Sequence, residues 1–162
     1  SATKTGALIV LAQRSDLSDI IEGGITVDGR LSVALLENIF FKNAPLHDGA
    51  AIVMNNRVVA AKCILPVTQS NVPKSYGTRH RAALGVTENS DAVVVVVSEE
   101  TGIISLVSDG HITRGFDRLT LENELLALLK TEEHSDEKAS LPARIKALFK
   151  KNKAEKDEEV EK

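Results

Sequence analysis

The sequence predicts a single α/β domain whose central sheet is mixed and flanked by helices on both faces. Three observations carry that expectation. Pairs of short apolar runs joined by Asn-Asn or Asp-Gly mark hairpins, which an all-parallel sheet lacks. Helix-period and strand-period patterns interleave through the first 130 residues. Five consecutive valines, 93–97, have no polar side and require a strand buried on both faces. The full length of 162 residues suits one domain and is too short for two of ordinary size.

Taken in order, Ala7–Ala12 is a first short β-forming run. Asp16–Glu22 reads as a helix capped by Ser15 or Asp16 and ended by Gly23-Gly24. Ile25–Val27 is a strand leading into an Asp28-Gly29 turn. Ser32 caps a helix running to Phe41, with Val33, Leu35, Leu36, Ile39 and Phe40 expected inward. Ala50–Met54 and Val58–Leu65 flank Asn55-Asn56 as a hairpin. Thr78–Val86 is a helix with Thr78 as its N-cap, and Ala92–Val97 is the buried valine strand. Ile103–Val107 and Ile112–Thr113 form a second hairpin around Asp109-Gly110, and Leu119–Leu129 closes the domain as an amphipathic helix.

Charge divides the chain near residue 130. Residues 5–130 form the domain; residues 131–162 hold 8 basic and 9 acidic side chains and read as a charged tail. Within the tail, Pro142 can start a short amphipathic helix carrying Leu141, Ile145, Leu148 and Phe149. That helix is expected to pack on the domain's own surface; its basic Arg144, Lys146, Lys150 and Lys151 make a partner or membrane surface the alternative. Ser1-Ala2 reads as a cloning remnant, so the natural start is expected upstream.

Several function classes are disfavoured at once. A net charge of -3 supplies no electrostatic footprint for a nucleic-acid duplex, and 3% aromatics without Trp supply no stacking platform for single strands. Nucleic acid is therefore not expected as a partner. The lone Cys63 cannot form an internal disulfide, which favours a reducing compartment. The sequence has no phosphate loop of the GxxxxGK type, no GxGxxG, no paired cysteines for zinc and no GxSxG elbow.

Three polar clusters remain, each where an apolar segment begins or ends. In His47-Asp48-Gly49-Ala50 a carboxylate and an imidazole precede a strand, and Gly49 allows close backbone approach to a ligand. Alone, Asp48-Gly49 would serve equally as a plain turn. In Gly77-Thr78-Arg79-His80-Arg81 the open amides of a helix start are joined by two guanidinium groups, a combination suited to phosphate. Residues two apart on a helix lie about 200° apart, so Arg79 and Arg81 cannot grip one phosphate together. Ser98-Glu99-Glu100-Thr101-Gly102 emerges from the valine strand, and alternation lets one of its two glutamates face a site. The inventory is that of metal-assisted phosphoryl or nucleotidyl transfer.

These clusters, in this order, resemble the diadenylate cyclase domain family, whose Asp-Gly-Ala and Arg-His-Arg signatures are intact at 48–50 and 79–81. The resemblance runs from about residue 5 to 129 and points to that family's membrane-bound branch. It implies synthesis of cyclic di-AMP from two ATP, with release of two pyrophosphates, between two protomers facing each other. It implies a divalent metal (Mn2+, Mg2+ or Co2+) at His47, Asp48 and Glu100. Asp48, Arg79, His80 and Arg81 would be catalytic; Gly49, Ala50, Gly77, Thr78, Ser98 and Glu100 would bind substrate, with Leu65 bordering the adenine. It also implies a membrane anchor N-terminal to this domain, placing the full-length protein at the cytoplasmic face of the membrane. In one departure, Ile64 stands where the membrane-bound members often have an aromatic residue, so adenine is expected to be held by aliphatic packing and backbone hydrogen bonds. A catalytically inactive adenine-nucleotide sensor and an interaction module working through the tail are the rival readings.

Overall fold

The computed structural model describes residues 4–130. The expected tail helix at Pro142 lies outside the described residues. Seven strands and four helices follow in the order β1 (Ala7–Leu11), α1 (Ser18–Glu22), β2 (Ile25–Arg30), α2 (Val33–Ile39), β3 (Ala50–Met54), β4 (Arg57–Cys63), α3 (Thr78–Thr87), β5 (Val93–Val97), β6 (Ile104–Ser108), β7 (His111–Phe116) and α4 (Arg118–Lys130). They build one mixed sheet in the order β2-β4-β3-β1-β5-β6-β7. Among the described residues only β1 and β3 pair in parallel; every other neighbouring pair is antiparallel. The expected mixed α/β architecture is the observed one.

The two-residue period of the strands sorts the core into two layers. Leu8 and Val10 of β1, Ile52 of β3 and Val94 and Val96 of β5 face one side, where they pack against Ile20 and Ile21 of α1 and Ala83, Leu84 and Val86 of α3. The alternate residues face the other side: Ala7, Ala51 and Val53 meet Ile39 and Phe40 beside α2, and Val93 and Val95 meet Leu121, Leu125 and Leu128 of α4. The valine run therefore has both faces covered. Each fully buried valine adds about 1.5–3 kcal/mol of transfer free energy, so β5 anchors both layers. Among the described residues, no helix is long and apolar enough to cross a membrane.

Local departures from expectation have identifiable causes. Ser15 and Asp16 do not cap α1 at residue 16. The Ser15 hydroxyl accepts the Asp91 amide at 3.0 Å, and the Asp16 carboxylate turns the chain by accepting the Ser18 amide at 2.9 Å, so the helix begins at Ser18. Asp28-Gly29 is not a turn between elements but an irregularity within β2, where the pairing register with β4 shifts and Asp28 adopts a positive φ. Ser32 caps α2 as expected, accepting the Leu35 amide, yet Val33 is exposed. The N-cap of α3 is Gly77 in an extended conformation, with Thr78 the first helical residue. Both hairpins are observed, turning through Asn55-Asn56 and Asp109-Gly110, all four at positive φ.

α3 carries the arginine turn, and one glycine seats it. A Cβ on Gly85 would lie 2.2 Å from the Pro66 carbonyl oxygen and 2.7 Å from the Thr68 nitrogen. The same loop donates the Thr68 amide to the Arg81 carbonyl at 3.1 Å. Gly85→Ala gains about 1 kcal/mol of helix propensity but must push α3 off this loop. We expect a net loss of about 2 kcal/mol, read as a lowered thermal midpoint. A midpoint equal to or above that of the parent would show that the loop retreats freely.

Candidate functional site

One end of the sheet collects the three polar clusters. β1 and β3 run parallel with Ile9 beside Ala51. Parallel strands begin at the same end, so the segment entering β3, with Asp48 and Gly49, and Gly6 before β1 reach the sheet at one end. On the other flank of β1, Ala7 pairs with Val97, so β5 delivers Ser98-Glu99-Glu100 to the same end. Ala50 pairs with Cys63, bringing the end of β4 and the following Ile64 and Leu65 alongside. Neighbouring strands lie about 4.8 Å apart, so these segments are side by side.

The start of α3 lies over this end. Arg79 Nη1 donates to Glu99 Oε2 at 3.0 Å, and a Cβ on Gly6 would lie 2.8 Å from the Arg79 guanidinium carbon. Arg79 therefore rests over Gly6, at the end of the sheet where Asp48 enters β3. The first helical bond runs from the Arg81 amide to the Gly77 carbonyl, which leaves the amides of Thr78, Arg79 and His80 as the open helix start. Arg81 is exposed while Arg79 is part-buried, so the two guanidinium groups diverge, as helix geometry requires.

His80 points the other way. It is 4% exposed, its Nε2 lies 3.3 Å from Ser105 Oγ, and its ring stacks on Tyr76 with centroids 5.5 Å apart. The Arg114 guanidinium sits 5.4 Å from the Tyr76 ring centre. Burial, and secondarily the Arg114 charge, hold the imidazole below its ordinary pKa, so it is neutral at pH 7. The imidazole thus lies in the interior beneath the helix start, where it ties α3 to β6.

The acidic loop has its own determinants. The His47 Nδ1 faces the Ala44 carbonyl at 2.6 Å. A carbonyl only accepts, so Nδ1 carries the hydrogen and the neutral ring keeps an Nε2 lone pair, the tautomer a metal ligand needs. Asp48 is exposed and Ala50 is buried at the head of β3. Gly49 has φ +129° and faces the Lys62–Cys63 backbone so closely that a Cβ would lie 2.8–2.9 Å from it. Ser98 shapes the third cluster: its hydroxyl accepts the Thr101 amide at 3.2 Å and its carbonyl accepts the Gly102 amide at 2.8 Å. Glu100 is exposed on that turn. Leu65 belongs to the core at 5% exposure, whereas Ile64 is 83% exposed.

Among the described residues no three His, Cys, Asp or Glu side chains converge as a metal-holding group. His47, Asp48 and Glu100 therefore do not close a cage by themselves. A set of one imidazole and separated carboxylates fits an ion that takes its remaining ligands from phosphate and water, as magnesium does. Sequence reasoning missed Gly6, Glu99 as the partner of Arg79, and the Tyr76–His80–Arg114 stack. The only signal for Gly6 was a glycine directly before an apolar strand.

Comparison with known proteins decides the family. The DAC family model, described as DisA bacterial checkpoint controller nucleotide-binding, matches residues 1–112. The chain belongs to the DAC family. It is similar to the cyclic di-AMP synthase CdaA of Bacillus subtilis, 42% identical over 128 residues, which cover 78% of this chain and 47% of that protein. It is similar also to the diadenylate cyclase CdaS of Bacillus thuringiensis, 50% identical over 111 residues, which cover 68% of this chain and 55% of that protein. The chain thus spans about half the length of these curated DAC relatives. Among solved structures, DacA from Staphylococcus aureus (the N166C/T172C double mutant) superposes with a TM-score of 0.73 at 47% identity, covering 76% of this chain and 83% of that one. A structure described as a hypothetical membrane spanning protein from Bacillus cereus gives 0.69, also at 47% identity, over 72% of this chain and 57% of that one.

Proposed function

We propose that the chain is the catalytic domain of a diadenylate cyclase that joins two ATP molecules into cyclic di-AMP and releases two pyrophosphates. The observation that supports this reading is that Asp48 enters β3 at the same end of the sheet where the Arg79 guanidinium rests over Gly6, at the head of the parallel strand β1. A carboxylate and a phosphate-type cationic helix start then serve one pocket. Family membership and relatives named as diadenylate cyclases support the same reading.

In this reading the open amides of Thr78–His80 and the Arg79 side chain bind the polyphosphate, with Gly49, Gly77 and Ser98 lining its path. Arg81, which diverges from Arg79, serves a different phosphate or the facing protomer. Asp48 takes a hydrogen bond from the ribose 3′-hydroxyl and stabilises the oxygen as its proton leaves. His80 acts as a positioning residue, fixing the pitch of the helix start through Ser105 and Tyr76. Exposed Ile64 and the backbone of Leu65 hold the adenine. His47, Asp48 and Glu100 would hold a divalent ion, which supplies positive charge to the phosphates and lowers the pKa of an oxygen it touches.

Each 3′-oxygen attacks the α-phosphorus of the other ATP. A new P–O bond forms, the bond to the β-phosphate bridge breaks, and pyrophosphate carries away the electron pair. One protomer presents one ATP, so two must face each other. The full-length protein is held at the cytoplasmic face of the membrane by segments N-terminal to this domain. The similar structure described as a hypothetical membrane spanning protein supports that arrangement.

Incubation with ATP and manganese, followed by mass spectrometry, should yield cyclic di-AMP; bound but unconverted ATP would mark an inactive sensor instead. Specific activity should also fall on dilution, because a weak dimer dissociates by mass action. Specific activity constant down to nanomolar protein, with a monomer in the ultracentrifuge, would refute the two-protomer site.

A further inference from the structure

We propose that Gly6 and Glu99 form a positioning device for Arg79, holding its guanidinium across the start of β1 in the place where polyphosphate is met. The inference rests on the phosphate role given to Arg79 above. Glu99 Oε2 accepts from Arg79 Nη1 at 3.0 Å, and the two residues lie 20 positions apart on different elements. The Arg79 side chain is 23% exposed against 50% for Glu99. An ion pair this open contributes little to stability. Its geometry, however, removes the freedom of a long side chain before substrate arrives.

Gly6 supplies the floor. A Cβ there would lie 2.8 Å from Arg79 Cζ and Nη1 and 3.0 Å from Glu99 Cβ. Any side chain at position 6 therefore displaces the guanidinium or parts it from its carboxylate. The backbone beneath is rigid, because β1 is flanked by β3 on one side and β5 on the other. A guanidinium has five N–H donors, so the bond to Glu99 leaves others for phosphate oxygens. Glu99 acts through Arg79 and is a positioning residue.

The test uses the full 162-residue chain and its Gly6→Ala, Glu99→Gln and Arg79→Ala variants, alone and in pairs. ATP affinity is measured by calorimetry with magnesium, KM and kcat by product formation, and folding by thermal midpoint. Gly6→Ala alters no charge, which separates positioning from the simple removal of a negative group near phosphate. Gly6→Ala and Glu99→Gln should each weaken ATP binding and raise KM about 2- to 10-fold with near-parental thermal midpoints. In the Arg79→Ala background both effects should vanish. Unchanged or tighter ATP binding in Glu99→Gln would overturn the proposal and make Glu99 a competitor of the substrate. Effects that persist in the Arg79→Ala background would overturn it as well. If Arg79→Ala itself leaves affinity and turnover untouched, the phosphate role of Arg79 falls and this device falls with it.

Discussion

Asp48→Asn should lower cyclic di-AMP formation about 10²- to 10⁴-fold while ATP still binds. The amide keeps the size and planarity of the carboxylate but loses its charge and its ability to accept a proton. Because Asp48 is exposed at the end of the sheet, the exchange leaves no buried group unsatisfied, and folding should be unaffected. The triphosphate contacts proposed above lie on another element, the start of α3 at Thr78, so most of the binding free energy should survive. Product formation by mass spectrometry and ATP affinity by calorimetry together check this. Turnover within a few-fold of the parent would remove Asp48 from the reaction.

Gly49→Ala should damage both stability and activity. At φ +129° an L side chain is strained by about 1–3 kcal/mol. The new methyl would also press on Lys62 Cα, the Lys62 carbonyl carbon and the Cys63 oxygen at 2.8–2.9 Å, all of them backbone atoms that cannot rotate away. Overpacking of this kind costs about 1–3 kcal/mol more. β4 has already bent here, since Lys62 takes a positive φ and the β3–β4 register shifts between Ala50 and Ile52. The expected loss is about 2–5 kcal/mol, a fall in thermal midpoint of roughly 10 °C. Activity measured well below that midpoint should also drop, because Asp48 moves with its neighbour. A parental midpoint would show that the junction of β3 and β4 can open.

The sheet was legible where local chemistry and burial agree. Asn55-Asn56 and Asp109-Gly110 demand positive φ and sit between apolar runs, so each reads as a hairpin and is one. Asp28-Gly29 has the same chemistry but accommodates an irregularity inside β2, a distinction made by the β4 partner and not by the residues themselves. Ser15 offered a cap, yet Asp91, 76 residues away, claimed its hydroxyl and amide. The site divides in the same way. Asp48, Arg79 and Glu100 stand out because each polar cluster abuts an apolar segment. Gly6 was hidden, and Glu99 was named only as one of two glutamates on its turn, because both meet Arg79 from 73 and 20 positions away. His80 was legible as a signature residue, but its burial against Ser105 depends on β6, which no spacing within the motif reveals.

The two outermost strands bear on how copies of this protein can meet. β2 is kinked at Asp28-Gly29, and β7 carries Gly115 at positive φ beside a register shift against β6. β2 also presents exposed charged side chains, Asp28 and Arg30. A foreign strand therefore finds no straight ladder to zip onto at either margin, and growth into a ribbon or fibril by lateral addition is closed off. Strand addition at the margins is thereby disfavoured, and the pairing of copies proposed above falls to the helical faces or to the loop-bearing end.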